Sequence, residues 1–504
     1  LESNIGYFVT DNAGNNDTAV DEVFKVLRPS WNKPKRASRC LRCLGHVINL
    51  AAKAFLYGED YDAFEQDINN MRERSEILKE LTAWRKRGPV GRLHNIIIFI
   101  CRSPQRRQAF AELINPQEKS EFDYLNLLID NATRWNSLYL MIQRAVKLRD
   151  RIDLFCYQNQ EAMHGPRRDQ RPQNEEDEAH LLSKDHLKAE DWETLKEIMH
   201  ILKDFEKLTR WAEGAQIQGD RGVLSNYLTI INELLHHMKA IRDDLALRAA
   251  DEELNSSSIT YLTTCSNNAW FALDKWFTKL DETPAVYASV LTNPTMKFKW
   301  FEHHWQPTKW DKTQAEMREW LRTAKQAIRR VWDEDYVDLE LSPGQEAVVP
   351  AVRPRSPTAY ERSVNLVELY GNNDTFEDQL EAWMKKPVFN LEPRETLPKY
   401  WLSQRCQKDK FRIAQLGLDM IAIPAMSSHC ERVFSQAKLL ITGQRMRLQA
   451  DIIEATQCLR AWEIEDRKKA GIWKGKGNWI PPESISAITD EPDLTYTFPG
   501  AQEG

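Results

Sequence analysis

No stretch of these 504 residues is apolar enough to span a membrane. The strongest run, Ile96 to Ile100, is far short of the ~20 residues a spanning helix needs. No apolar leader with a basic flank opens the chain, so a secretory signal is not expected. The eight cysteines follow no regular spacing, which excludes a disulfide framework and favours a reducing compartment. Glycine is scarce, at 19, and collagen-like or wholly disordered classes are excluded with it. Also missing are G-x-S-x-G, a Walker loop, H-E-x-x-H and a dinucleotide fingerprint. Leu1 stands where an initiator methionine would, which marks the chain as a fragment or a processed product. What is present is an ordinary globular composition, 42% apolar and 29% charged, with length for about two to four domains.

Sixty-nine basic residues against 75 acidic ones give a net charge of −6, which by itself does not favour nucleic acid. The local distribution differs. Arg28 to Leu44 carries Arg28, Lys33, Lys35, Arg36, Arg39 and Arg42 with no acid, and Arg85 to Arg107 is a second acid-free basic stretch. Acid is gathered in Glu175 to Glu178 and in Asp333 to Glu340. Two basic runs near one end suit a phosphate-binding face; solvated helix faces are the alternative.

Periodicity predicts a short buried strand over Ile5 to Thr10, broken at Asp11-Asn12-Ala13-Gly14. A helix from about Asp17 is stopped by Pro29, Cys40 to Leu44 is strand-like, and His46 to Phe55 is helical. Strand and helix thus alternate at the start, as in an α/β layer. Beyond about residue 60 the pattern is nearly all helical. Leu138, Met141, Ile142, Ala145 and Leu148 form one stripe, and Trp192, Leu195, Ile198, Leu202 and Phe205 form another. His164 to Glu178 reads as a mobile loop and Ser342 to Pro357 as a proline-rich linker. Helices then follow over Phe411 to Ile423, from about Ser428, and over Asp451 to Trp462, before a basic, aperiodic tail from Asp466.

Four constellations carry chemistry. Asp11 follows the first strand, where α/β sheets place ligands and metals, although plain turn chemistry also favours Asp there. Glu431 has the S-x-x-E spacing of a capping box with Ser428; the alternative is a metal-binding carboxylate at a helix start. Cys40, Cys43 and His46 have ligand-like gaps but no fourth donor nearby, so zinc is not expected, and His46 is a candidate for a DNA phosphate or sugar. Arg134 and Trp135, at a helix entry, suit stacking on an unpaired base, or Trp135 packs in the core.

Together, TDNAGNND at Thr10, RCLGHVINLAAKAF at Arg42, ATRWNSLYLMIQRA at Ala132 and the block from IPAMSSHCERVFSQAK at Ile423 to Trp462 resemble the hAT superfamily of cut-and-paste DNA transposases. The resemblance implies a mainly α protein with a partial α/β ribonuclease-H-like core and a long all-α insertion. It implies a partial core over 1–150, the insertion over 151–341, a linker over 342–360, a dimerisation region over 361–465 and a tail over 466–504. By motif match, Asp11 looks like the second catalytic Asp and Glu431 like the closing Glu, together binding magnesium or manganese. Cys43 and His46 match the family's C-x-x-H pair near DNA, and Trp135 matches the tryptophan that supports a flipped base.

Only ten residues precede Asp11, so the strand bearing the family's first catalytic Asp is missing from this sequence. Two-metal phosphoryl transfer needs carboxylates on both ions, and the expectation is therefore binding without cleavage. DNA contact is expected through Arg36, Arg39, Arg42, Cys43, His46, Arg134 and Trp135. Self-association is expected through Ile453, Leu459 and Trp462, unless these pack within one chain. A nuclear location goes with this reading. The alternatives are a piece of an active transposase and a nuclear regulator retained by a host.

Overall fold

The computed structural model describes residues 5–11, 14–58, 60, 77–113, 125–130, 135–159, 182–213, 222–251, 256–340, 378–392, 395–407, 409–428, 430, 433 and 450–469. The chain divides into two units, Leu1–Ser427 and Ser428–Gly504. Among the described residues no helix is long and apolar enough to cross a membrane.

The first unit opens with alternating strand and helix. β1 (Phe8–Thr10), α1 (Gly14–Leu27), α2 (Lys33–Ala37), β2 (Cys40–Arg42) and α3 (Leu44–Tyr57) follow in order. β1 and β2 pair in parallel, with Phe8 opposite Cys40, Val9 opposite Leu41 and Thr10 opposite Arg42. Parallel neighbours need a crossover, and α1 with α2 supplies it. α1 turns Val20 and Phe24 inward against Cys40 and Phe8, and the Phe24 ring meets Phe8 edge-on at 5.2 Å. α2 begins where the Asn32 side chain accepts the Lys35 N–H at 2.9 Å, with Pro34 in its first turn.

α3 is apolar nearly all round, and it lies at the centre of the unit. Val47, Ile48, Ala51, Ala52 and Phe55 are buried, and the alanines let neighbouring helices approach closely. The helices Trp135–Lys147, Ala189–Ala212 and Ser257–Thr278 pack against it, and the predicted stripes of the first two are buried. The architecture is mainly α, as the sequence predicts. The α/β part is one pair of parallel strands among the described residues.

The helices Gln379–Lys385, Leu397–Arg405 and Phe411–Ala422 belong to the first unit, not to one body with the last helix. Indole hydrogen bonds hold them there: Trp383 donates to the Leu291 carbonyl at 2.9 Å and Trp401 to the Thr292 carbonyl at 3.2 Å. Gly417 lets the Trp401 ring lie directly on Phe411–Ala422; a Cβ there would be 2.4 Å from the indole. The second unit contributes the helix Ala450–Lys469. The loop predicted at His164 to Glu178 and the linker at Ser342 to Pro357 lie outside the described residues.

Candidate functional site

The carboxyl end of the strand pair gathers most of the predicted residues. Asp11 follows Thr10 directly, is exposed, and accepts a hydrogen bond from the Asn16 side-chain amide on α1. The Cys43 N–H donates to the Thr10 carbonyl at 2.7 Å, so the start of α3 is tied to the end of β1. Cys43 is the N-cap of α3, and half-buried His46 sits in that helix's first turn. Arg42, opposite Thr10, reaches Asp17 at 2.6 Å. The Cys40 thiol lies 3.5 Å from the Thr10 hydroxyl and 3.7 Å from the Asp17 carboxylate; burial pushes its pKa up.

A distant segment arrives at the same place. The Leu44 N–H donates to the Ala425 carbonyl at 3.0 Å, and the Ser427 N–H to the buried Cys43 Sγ at 3.3 Å. Gly45 makes room for this approach, because a Cβ there would lie 2.0 Å from the Met426 methyl. The residues that lead into the SSHCE motif are thus anchored beside the Asp11 strand end. Glu431 itself lies outside the described residues, as does Arg134.

The first basic run has a different environment from the one its sequence suggests. Arg39 is buried, at 5% exposure, with its guanidinium on the Asp335 carboxylate and the Tyr7 hydroxyl. Lys35 joins it at Asp335, 2.8 Å away, and both stand over the Trp31 ring. Arg36 holds Asp21 at 2.6 Å, and that bond lowers the Asp21 pKa. The second run is similarly engaged: Arg85 grips Asp185 with two bonds, at 2.8 and 2.7 Å, and Arg92 pairs with Asp191. Charges segregated along the sequence are thus interleaved in space. The expected phosphate contact at Arg39 is corrected by this geometry, since its cation faces inward as a clamp.

Trp135 also takes a core position. It is 2% exposed, its backbone N–H points at the Asn49 side chain at 3.4 Å, and its ring packs near Tyr139 and Phe205. A base cannot reach it in this arrangement.

Arg36 and Arg42 line a cleft of about 810 Å³ that runs beside β2. Its floor includes Leu41, Trp276 and Leu280. Lys33, Lys279 and Arg330 stand exposed on its walls, and no carboxylate pairs with them in the described ion pairs. Lys279 and Arg330 had no signal in the sequence, because each lies far along the chain from β2, Lys279 at the end of Ser257–Thr278 and Arg330 on the charge-rich helix Gln314–Asp335.

On the helix Ala450–Lys469, Ile452, Leu459 and Trp462 recur at spacings of seven and three, so they share one side. Leu459 and Trp462 are each 63% exposed and Ile452 49%. Ile453, the predicted residue one step round, is half-buried.

Two stretches of the chain match known families. Residues 41–181 match the ZBED1 RNase-like helical domain, and residues 379–463 match the hAT family C-terminal dimerisation region. A candidate transcriptional regulator, tpeD, from Talaromyces stipitatus is 30% identical over 166 residues. That similarity covers 31% of this chain and only 18% of the relative.

Proposed function

This chain is hAT-family and transposase-like, and on that premise we propose that it is a self-associating, DNA-contacting protein of the nucleus. The observation that carries the reading is the outward-facing Ile452, Leu459 and Trp462 within the matched dimerisation region. An exposed indole beside two exposed aliphatic side chains is costly in water, and burial against a second copy removes that cost. Indoles of this kind are frequent anchors of protein interfaces.

DNA contact is assigned to the cleft beside β2 and to the adjoining strand end. Arg42, Lys33, Lys279 and Arg330 supply the phosphate-facing charge, and His46 stands in the first turn of α3 at the adjoining strand end. Arg36 contributes less, because Asp21 already engages it. Phosphate contacts of this kind position a duplex without reading its sequence. Regulation of transcription, the role that the name of tpeD suggests for that relative, is compatible with binding alone.

A second reading, strand cleavage with magnesium or manganese, is favoured by the exposed Asp11 at the end of a parallel strand. The described residues do not fit a two-metal centre by themselves, since Asp17 is engaged by Arg42 and Asp11 is then the one carboxylate at the strand end. No step is therefore derived through a metal.

The test is duplex binding by the full chain across a salt series. Log affinity should fall linearly with log salt, and Arg42→Ala with Lys279→Ala should reduce the slope by about 2. A salt-independent affinity would refute DNA contact. Magnesium-dependent nicking that Asp11→Asn and Glu431→Gln both abolish would establish the second reading.

A further inference from the structure

Away from the strand end, the helix Lys297–His304 starts in an unfavourable backbone conformation. Lys297 has φ +51°, and Asp311 is the only other described non-glycine residue with a positive φ. That conformation is disfavoured for a residue with a Cβ. Here it accompanies an inward-turned side chain. Lys297 is 1% exposed, its Nζ stands 4.1 Å from the Trp383 ring centre, and it donates to the Lys386 and Pro387 carbonyls. Burial and the neighbouring Lys386 charge pull its pKa down to about 8.

An open cavity of about 490 Å³ lies against this residue. Lys299, Lys325, Lys385 and Lys386 line it alongside Lys297, so five ammonium groups face two carboxylates. Both carboxylates already have cationic neighbours. Glu302 accepts from Lys299 at 2.6 Å, and Glu381 lies 3.9 Å from Arg329. Lys325 and Lys386 are exposed and have no acid partner among the described residues. This differs from the cleft beside β2, where acids and bases are nearly matched. Like charges concentrated in a concave wall repel one another and raise the local potential.

The geometry points to an anion site in which the exposed Lys325 and Lys386, on the wall that the buried Lys297 braces through the Lys386 and Pro387 carbonyls, receive a ligand carrying two or more linked phosphate groups. A small oligophosphate and a nucleic-acid backbone present the same chemistry. The site lies outside the surfaces assigned above, so it stands or falls independently of them.

Calorimetric titration of the full chain with sodium tripolyphosphate, at about 50 mM salt, tests it. Saturable binding that weakens with salt is expected. Lys325→Glu with Lys386→Glu alters exposed side chains, so the fold should persist, as circular dichroism would confirm, while affinity should fall at least about tenfold. Displacement of tripolyphosphate by a short DNA duplex would identify the backbone as the source, and its absence would identify a small oligophosphate. Failure of the wild-type chain to bind tripolyphosphate, or equal binding by the charge-reversed variant, would overturn the site.

Discussion

Trp401 and Trp462 fall in the same matched dimerisation region, yet one is 1% exposed and the other 63%. Trp401 lies on Gly417 and is hydrogen-bonded to the Thr292 carbonyl, so it helps close the core of the first unit. Trp462 faces outward from Ala450–Lys469 beside Leu459. The front of the region therefore packs into the first unit, while the back leaves large apolar side chains exposed. A family name attached to the whole stretch hides that division, which falls between Ser427 and Ser428.

Substitutions at the two tryptophans should separate these roles. Trp401→Ala removes a buried aromatic side chain and should lower the stability of the first unit by about 3–5 kcal/mol in chemical denaturation. A loss below about 1 kcal/mol would show that the ring is not part of the core. Next in size is Arg39→Met, which leaves Asp335 partly buried without its main partner. It should cost about 2–3 kcal/mol, because removal of one member of a buried pair is worse than replacement of both. Asp335→Asn with Arg39→Met should recover part of that loss, and a strictly additive double variant would contradict the clamp. Trp462→Ala should leave the stability of the first unit within about 0.5 kcal/mol. It should nevertheless weaken self-association by about 2 kcal/mol, or roughly thirtyfold.

The gentlest effect is pH dependence within the first unit. Burial, followed by the charges of Lys309, His303 and His236, holds the His304 pKa down at about 4. The unfolded chain takes up that proton below about pH 6.5 and the folded chain does not until about pH 4. Stability should therefore fall as pH drops through that window, and His304→Gln should flatten the slope. An unchanged slope in the variant would show that another group is responsible. Because His304 is only partly buried, the effect should be modest.

Much of the fold was legible in the sequence. The helical stripes at Leu138, Trp192 and Phe411, the break at Pro29 and the strand ending at Thr10 all depend on local periodicity and turn chemistry, which a sequence displays directly. The candidate site was legible only in outline. Asp11, Cys43 and His46 do share one end of the strand pair, but the docking of Ala425 to Ser427 there depends on Gly45, whose lack of a side chain gives no local signal.

Charge was the least legible feature. Asp333 to Glu340 looked like an acid bank remote from the basic run, and folding places Glu334 and Asp335 against Lys35 and Arg39. Similarly, Trp135 has the neighbours expected of a stacking residue in sequence but a core position in space, because its helix packs it toward Phe205. Apolar spacing on Ala450–Lys469 does not separate an internal face from an external one; Leu459 and Trp462 are exposed and Ile453 is half-buried.

Sedimentation equilibrium of the full chain and of Leu459→Asp is the most direct measurement of how the last helix is used. The parent chain should behave as a dimer or larger assembly at micromolar concentration, and the variant, with a charge in the apolar face, as a monomer of unchanged fold. Identical mass distributions for the two chains would contradict a second copy as the partner of that helix.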